Sequence, residues 1–217
     1  MKKIITSLIL SIIVSFSGAQ TLLDIETIKE IATTKDDYYK GIVELFNNND
    51  PYLDTNDIAV IYYGQAFRTE YTPTGNRDEV ALKKFVDEKD HQSAYNTAKK
   101  IIKTNPVSLN AIFNLLVSAK ELGKSKEECK SYALKYMQIV NMIAQYGDGK
   151  TRATAFKVIT PDDQDYILYG VLNIEKVISN ELDSETLHNI FVVEPTKEFQ
   201  SRRVYFDLSL FLNSATE

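Results

Sequence analysis

Apolar residues recur at helical spacing along most of the chain up to Tyr146. Tyr39, Ile42, Val43 and Phe46 stand at i, i+3, i+4 and i+7, the spacing of one helix face. Asn47-Asn48-Asn49-Asp50-Pro51 ends that helix, and Thr55 or Asn56 can cap the next, whose inner face includes Ile58, Ile61, Tyr62 and Ala66. A turn cluster, Thr72-Pro73-Thr74-Gly75-Asn76, precedes a short helix with Leu82, Phe85 and Val86 on one side. Ala94, Tyr95, Ala98, Ile101 and Ile102 mark a further helix that Asn105-Pro106 stops, because a residue before proline avoids helical angles. Ser108 caps a helix with Leu109, Ile112, Phe113 and Leu116 inward, which closes at the glycine of Leu122-Gly123. Ser125 opens a long helix with Glu128 placed for a capping box, and Cys129, Tyr132, Ala133, Tyr136, Val140, Ile143 and Ala144 form its stripe.

The pattern changes at Gly147-Asp148-Gly149-Lys150. Ala155 to Ile159 reads as a short strand, and Pro161 suits the first turn of a helix running to about Gly170, with Thr160 as cap. Val177-Ile178, Ile190 to Val193, and Val204, Phe206 and Leu208 read as strands, the last alternating with Arg203, Tyr205 and Asp207. The fold class predicted is therefore mainly α (α+β): antiparallel helix hairpins over residues 20–146, then a small antiparallel sheet with one helix over 147–217, packed on them. Ala94, Ala98, Ile101 and Pro106 match the second helix and stop of a tetratricopeptide repeat, so the hairpins are expected to be tetratricopeptide-like.

Residues 1–19 read as a cleavable signal peptide. Lys2 and Lys3 give a positive start, Ile4 to Phe16 an apolar core, and Ser17-Gly18-Ala19 the small residues that place the cut before Gln20. A secreted or periplasmic location follows, with no membrane anchor after cleavage, since the later apolar runs are too short to cross a bilayer. Loss of Lys2 and Lys3 takes the basic total from 25 to 23 against 30 acids, a net charge of −7. An acidic chain without a basic stripe repels phosphate backbones, which argues against nucleic acid as a partner. Cys129 is the single cysteine, so no intramolecular disulfide forms, and its place on an apolar stripe predicts a buried, inert thiol.

Several short motifs lie in a characteristic order: Tyr38-Tyr39; Ile61-Tyr62-Tyr63-Gly64-Gln65-Ala66-Phe67 with Tyr71 and Pro73; Asn105-Pro106; Gly147-Asp148-Gly149; Asp165-Tyr166-Ile167-Leu168; and Tyr205-Phe206-Asp207. In these the chain resembles, over nearly all of its length after the signal peptide, a family of exported bacterial proteins catalogued as a domain of unknown function. The resemblance implies a tetratricopeptide-like helical fold and an exported location, and no activity. Such sequences tend to carry Asn before the proline where this chain has Thr72.

Enzyme signatures are sparse. His91 and His188 lie far apart and outside any zinc-protease spacing, and there is no nucleophile elbow or phosphate-cradling glycine loop. Asp148, and Asp162-Asp163-Gln164-Asp165, lack the register of a calcium loop; a turn and favourable charges at a helix start explain them. No metal or cofactor is expected. The most suggestive feature is aromatic. Tyr62 and Tyr63 point about 100° apart on a helix, so with Tyr62 in the core, Tyr63 and Phe67, joined by Tyr71, are predicted to form a second face that binds a ligand. The function class expected is a non-enzymatic binding module of the cell envelope whose partner is another envelope protein, a peptide or a glycan. The alternative is a carboxylate-dependent hydrolase acting on envelope polymers.

Overall fold

The computed structural model describes residues 24–69, 71–72 and 77–214. The expected signal peptide and Pro73 to Asn76 lie outside the described residues. Nine helices and a four-stranded mixed sheet form among them, a mainly α, α+β architecture. The chain divides into two compact units, one ending at Ile139 and the other beginning at Val140, so the division falls inside a helix rather than at the Gly147 turn.

In the first unit the helices are α1 (Ile25–Thr34), α2 (Asp36–Asn47), α3 (Thr55–Gln65), α4 (Arg77–Asp87), α5 (His91–Thr104), α6 (Leu109–Glu121) and the start of α7 (Lys126–Tyr146). Consecutive helices pack as hairpins: α5 lies against α4 and α6, while α1 and α2 both pack on α3. Asp54, one residue earlier than the sequence suggests, caps α3 and exchanges bonds with Asp57 in a full capping box (2.9 and 3.1 Å). Ser108 caps α6 as expected, and α6 closes on Gly123 (φ +66°) with Lys124 N donating to Ala119 O (2.9 Å).

Helix α3 is the hub of this unit. Ile58 to Gln65 carries no charge, and every residue in that run is buried. A helix that is apolar all round has no solvent face to offer. Tyr39 from α2 reaches it with its hydroxyl, donating to Ile61 O (3.2 Å) and Gln65 Oε1 (3.3 Å).

The second unit holds β1 (Phe156–Lys157), α8 (Asp163–Gly170), β2 (Val177–Asp183), β3 (His188–Val193), β4 (Arg203–Asp207) and α9 (Ser209–Ser214). The strand order is β1-β4-β3-β2. The expectation of an antiparallel sheet needs one correction, since β1 runs parallel to β4, pairing Phe156 with Phe206. β1 keeps only two residues of the expected strand Ala155–Ile159. β2, by contrast, continues five residues past Val177-Ile178: Ser179, Asn180 and Glu181 are weak strand formers held in place by pairing with β3. Phe156, Phe191, Val193, Val204 and Phe206 are buried on one side of the sheet, with the rings of Phe156 and Phe191 5.7 and 5.6 Å from that of Phe206.

At the end of β4, Asp207 touches the Lys157 ammonium and accepts from Ser209 N (2.8 Å), the first residue of α9. Burial raises its carboxyl, but the bonds from Lys157 and Ser209 outweigh that and leave it below the ordinary 3.8. Its stabilising contribution is therefore complete above pH 3.8 and is lost as pH falls through the lower folded value. Asp207→Asn should cost about 2 kcal/mol at pH 7, less than a fully buried pair because both partners keep about a fifth of their exposure (23% and 19%). Urea titrations of both proteins from pH 7 to pH 2 should show the gap closing below pH 4; a gap independent of pH would refute the assignment.

Candidate functional site

Ile190-Phe191-Val192-Val193 places four apolar residues in a row on β3, and alternation along a strand sends two to each face. Phe191 and Val193 are taken by the core. Ile190 and Val192 are left on the outer face, half-buried. Strand register builds two cross-strand rows around them: Ser179, Val192 and Arg203 in one, Glu181, Ile190 and Tyr205 in the other. With Arg152 these residues line a shallow groove of about 230 Å³.

The segment after α7 contributes Arg152 to the groove. Asp148 accepts from Thr154 Oγ1 (2.6 Å) and Lys150 N (3.1 Å) and pairs with Lys150 Nζ (3.1 Å). Burial raises its carboxyl, and these bonds bring it below its ordinary value. The Asp148 oxygens thus tie the turn together. Gly149 O accepts from Tyr205 N (2.9 Å), which pins the turn to β4. Arg152 then swings over the sheet, its guanidinium 5.9 Å from the Tyr205 ring centre and 2.9 Å from Asp183 Oδ2. His188 Nε2 lies 3.2 Å from Arg152 O, a positioning contact. Hydrogen bonds from Thr186 and then Arg152 hold the Asp183 carboxyl at about 2, so the Arg152–Asp183 pair stays ionised at any physiological pH.

Arg152 is thereby committed to the protein's own acid, and its neighbours are not. The Arg203 guanidinium, the Glu181 carboxylate and the Ser179 hydroxyl make no hydrogen bond or ion pair among the described residues. An aliphatic floor with uncommitted charges of both signs on its rim can hold a polar chain with an apolar residue between its charges. None of these residues was singled out as a site from the sequence. The signal lay in the unbroken apolar run of β3, which leaves two large aliphatic side chains on an outer face.

The aromatic residues expected to bind ligand are placed differently. Tyr63 is fully buried (0% exposed) beside the equally buried Tyr62, ring to ring at 5.0 Å and 71°. The expectation of a Tyr63 binding surface is corrected: with no charge from Ile58 to Gln65, both sides of α3 are core. Phe67, in the turn after α3, is half-buried with the Lys29 ammonium 5.6 Å from its ring centre, and Tyr71 is half-buried beyond it.

Two other polar clusters have structural explanations. Lys135 is buried, and burial pushes its ammonium below the ordinary lysine range. It donates to Asn47 O (2.9 Å), the carbonyl end of α2, where a positive charge is favoured. Glu128 does not close the expected capping box. Ser125 Oγ accepts from Glu128 N (3.1 Å), while the Glu128 carboxylate accepts from Tyr132 one turn along α7 and from Tyr95, whose hydroxyl fastens α7 to α5. Those hydroxyls, Tyr95 foremost, hold the Glu128 carboxyl low, and burial pushes the Tyr132 phenol well above its usual range. Cys129, beside this cluster, is half-buried rather than buried.

Fold and site together define an α+β protein of helical hairpins with a grooved sheet face. The family model described as "Domain of unknown function (DUF4919)" matches residues 25–217, and the chain belongs to that family. No curated protein and no solved structure matches the chain. Among the described residues, no helix is long and apolar enough to cross a membrane.

Proposed function

We propose that the protein is an exported, non-enzymatic binding module that holds a peptide or protein segment on the outer face of its sheet. The observation that carries this reading is the groove over Ile190 and Val192, open to solvent and rimmed by the uncommitted Arg203, Glu181 and Ser179. A peptide fits this chemistry better than a glycan. Sugar recognition uses an open aromatic platform, and the one ring in the groove, Tyr205, lies beside the Arg152 guanidinium. The hydrolase alternative is less favoured. A two-carboxylate mechanism needs a proton donor and a second free carboxylate, whereas Glu181 is the single acid lining the groove and Asp183 is bound to Arg152. Helical hairpins are compatible with the same class, because stacked helix pairs commonly serve protein contacts.

Selection from a displayed random-peptide library tests the reading. Sequences recovered on the wild-type protein should lose at least about 10-fold in affinity on Val192→Glu, which puts a charge on the groove floor, with its melting temperature unchanged. Failure to recover binders, or binders indifferent to Val192→Glu, would refute it.

Export rests on the sequence of residues 1–19 and has its own check. Intact mass of protein recovered outside the cytoplasm should correspond to a chain beginning at Gln20, or its cyclised form. Retention of residues 1–19 would contradict export by a cleaved signal.

A further inference from the structure

We propose that the groove selects peptides by charge pattern: an acidic and a basic side chain four residues apart in an extended segment, with an apolar residue midway between them. This inference rests on the peptide-binding reading and specifies its ligand. Arg203 on β4 and Glu181 on β2 flank β3 from opposite sides and belong to different cross-strand rows. Their backbones are thus two strand spacings apart across the sheet and two residues apart along it, a diagonal of about 12 Å. An extended peptide covers about 13 Å in four residues and returns side chains i, i+2 and i+4 to the same face. A carboxylate at one end then meets Arg203, whose fork of donors suits bidentate carboxylate pairing, and an ammonium at the other meets Glu181. The middle side chain settles on Ile190 and Val192. Arg152 does not disturb the pattern, since Asp183 neutralises it. Ser179, in the row of Arg203, supplies a hydroxyl to the peptide backbone.

Fluorescence anisotropy with three labelled, end-capped pentapeptides tests the proposal: Asp-Thr-Val-Thr-Lys, Asp-Thr-Val-Thr-Asp and Lys-Thr-Val-Thr-Lys. Wild-type protein should bind the mixed-charge peptide at least about 10-fold tighter than either like-charged one. Because Arg203 and Glu181 are exposed and hold nothing else in place, reversing them should spare the fold and move the preference. Arg203→Glu should favour the dibasic peptide, and Glu181→Arg the diacidic one. Equal binding of all three peptides, abolished by Val192→Glu, would overturn the charge pattern and leave the groove reading standing. No binding of any peptide to wild-type protein would overturn both.

Discussion

Tyr62→Ala and Tyr63→Ala are each expected to cost about 3 to 5 kcal/mol, as deletions of large buried rings do. Both side chains are fully buried, and each ring is part of the other's surroundings at 5.0 Å in an edge-to-face arrangement. Such a pair adds about 0.5 to 1.5 kcal/mol beyond the area it buries. The two losses should therefore be non-additive, the double variant costing less than the sum because the second truncation removes a partner already gone. Equilibrium urea curves of the three variants measure this without knowledge of a ligand. A cost below about 1 kcal/mol for Tyr63→Ala, the value usual for a surface change, would contradict the burial of α3 on all sides.

Gly149→Ala should destabilise the second unit by about 2 to 5 kcal/mol. Gly149 sits at φ +68°, where a side chain costs about 1 to 2 kcal/mol. An added Cβ would also lie 2.2 Å from Phe156 Cε2 and 2.5 Å from Cδ2, and overpacking of that kind typically adds about 1 to 3 kcal/mol. Phe156 has nowhere to retreat, being 2% exposed and packed on Phe206. Its replacement by leucine should recover part of the loss, so Gly149→Ala ought to be milder in a Phe156→Leu background. Thermal melts of the four proteins give this coupling, and a neutral Gly149→Ala would show that the turn is not held as described. The same turn carries Arg152 to the groove, which connects this stability effect to the site.

Helix positions were legible in the sequence because caps and stops are local: Ser108, Gly123 and Asn105-Pro106 act where they stand. Strand extents were less legible. Nothing within Ser179-Asn180-Glu181 favours a strand, and β3 supplies the hydrogen bonds that make it one. Pairing of β1 with β4 joins residues fifty apart in parallel, which no local pattern encodes. The expectation of a solvent face at Tyr63 is overturned for an informative reason. The stripe places Tyr62 inward but does not by itself expose Tyr63, because the charge-free run from Ile58 to Gln65 denies the helix a solvent face. The groove depends on register and on the committed Arg152–Asp183 pair, both tertiary facts, and only its apolar floor could have been read from Ile190 to Val193.

The proposed binding surface is the outer face of the sheet and not the aromatic helix. Amide chemical-shift mapping on ¹⁵N-labelled protein of residues 20–217, titrated with the tightest peptide from the library, tests it most directly. Shifts concentrated on Ser179, Glu181, Ile190, Val192, Arg203 and Tyr205, with Phe67 and Tyr71 unmoved, are the predicted result. Shifts centred on Phe67 and Tyr71, with β2, β3 and β4 silent, would contradict the account.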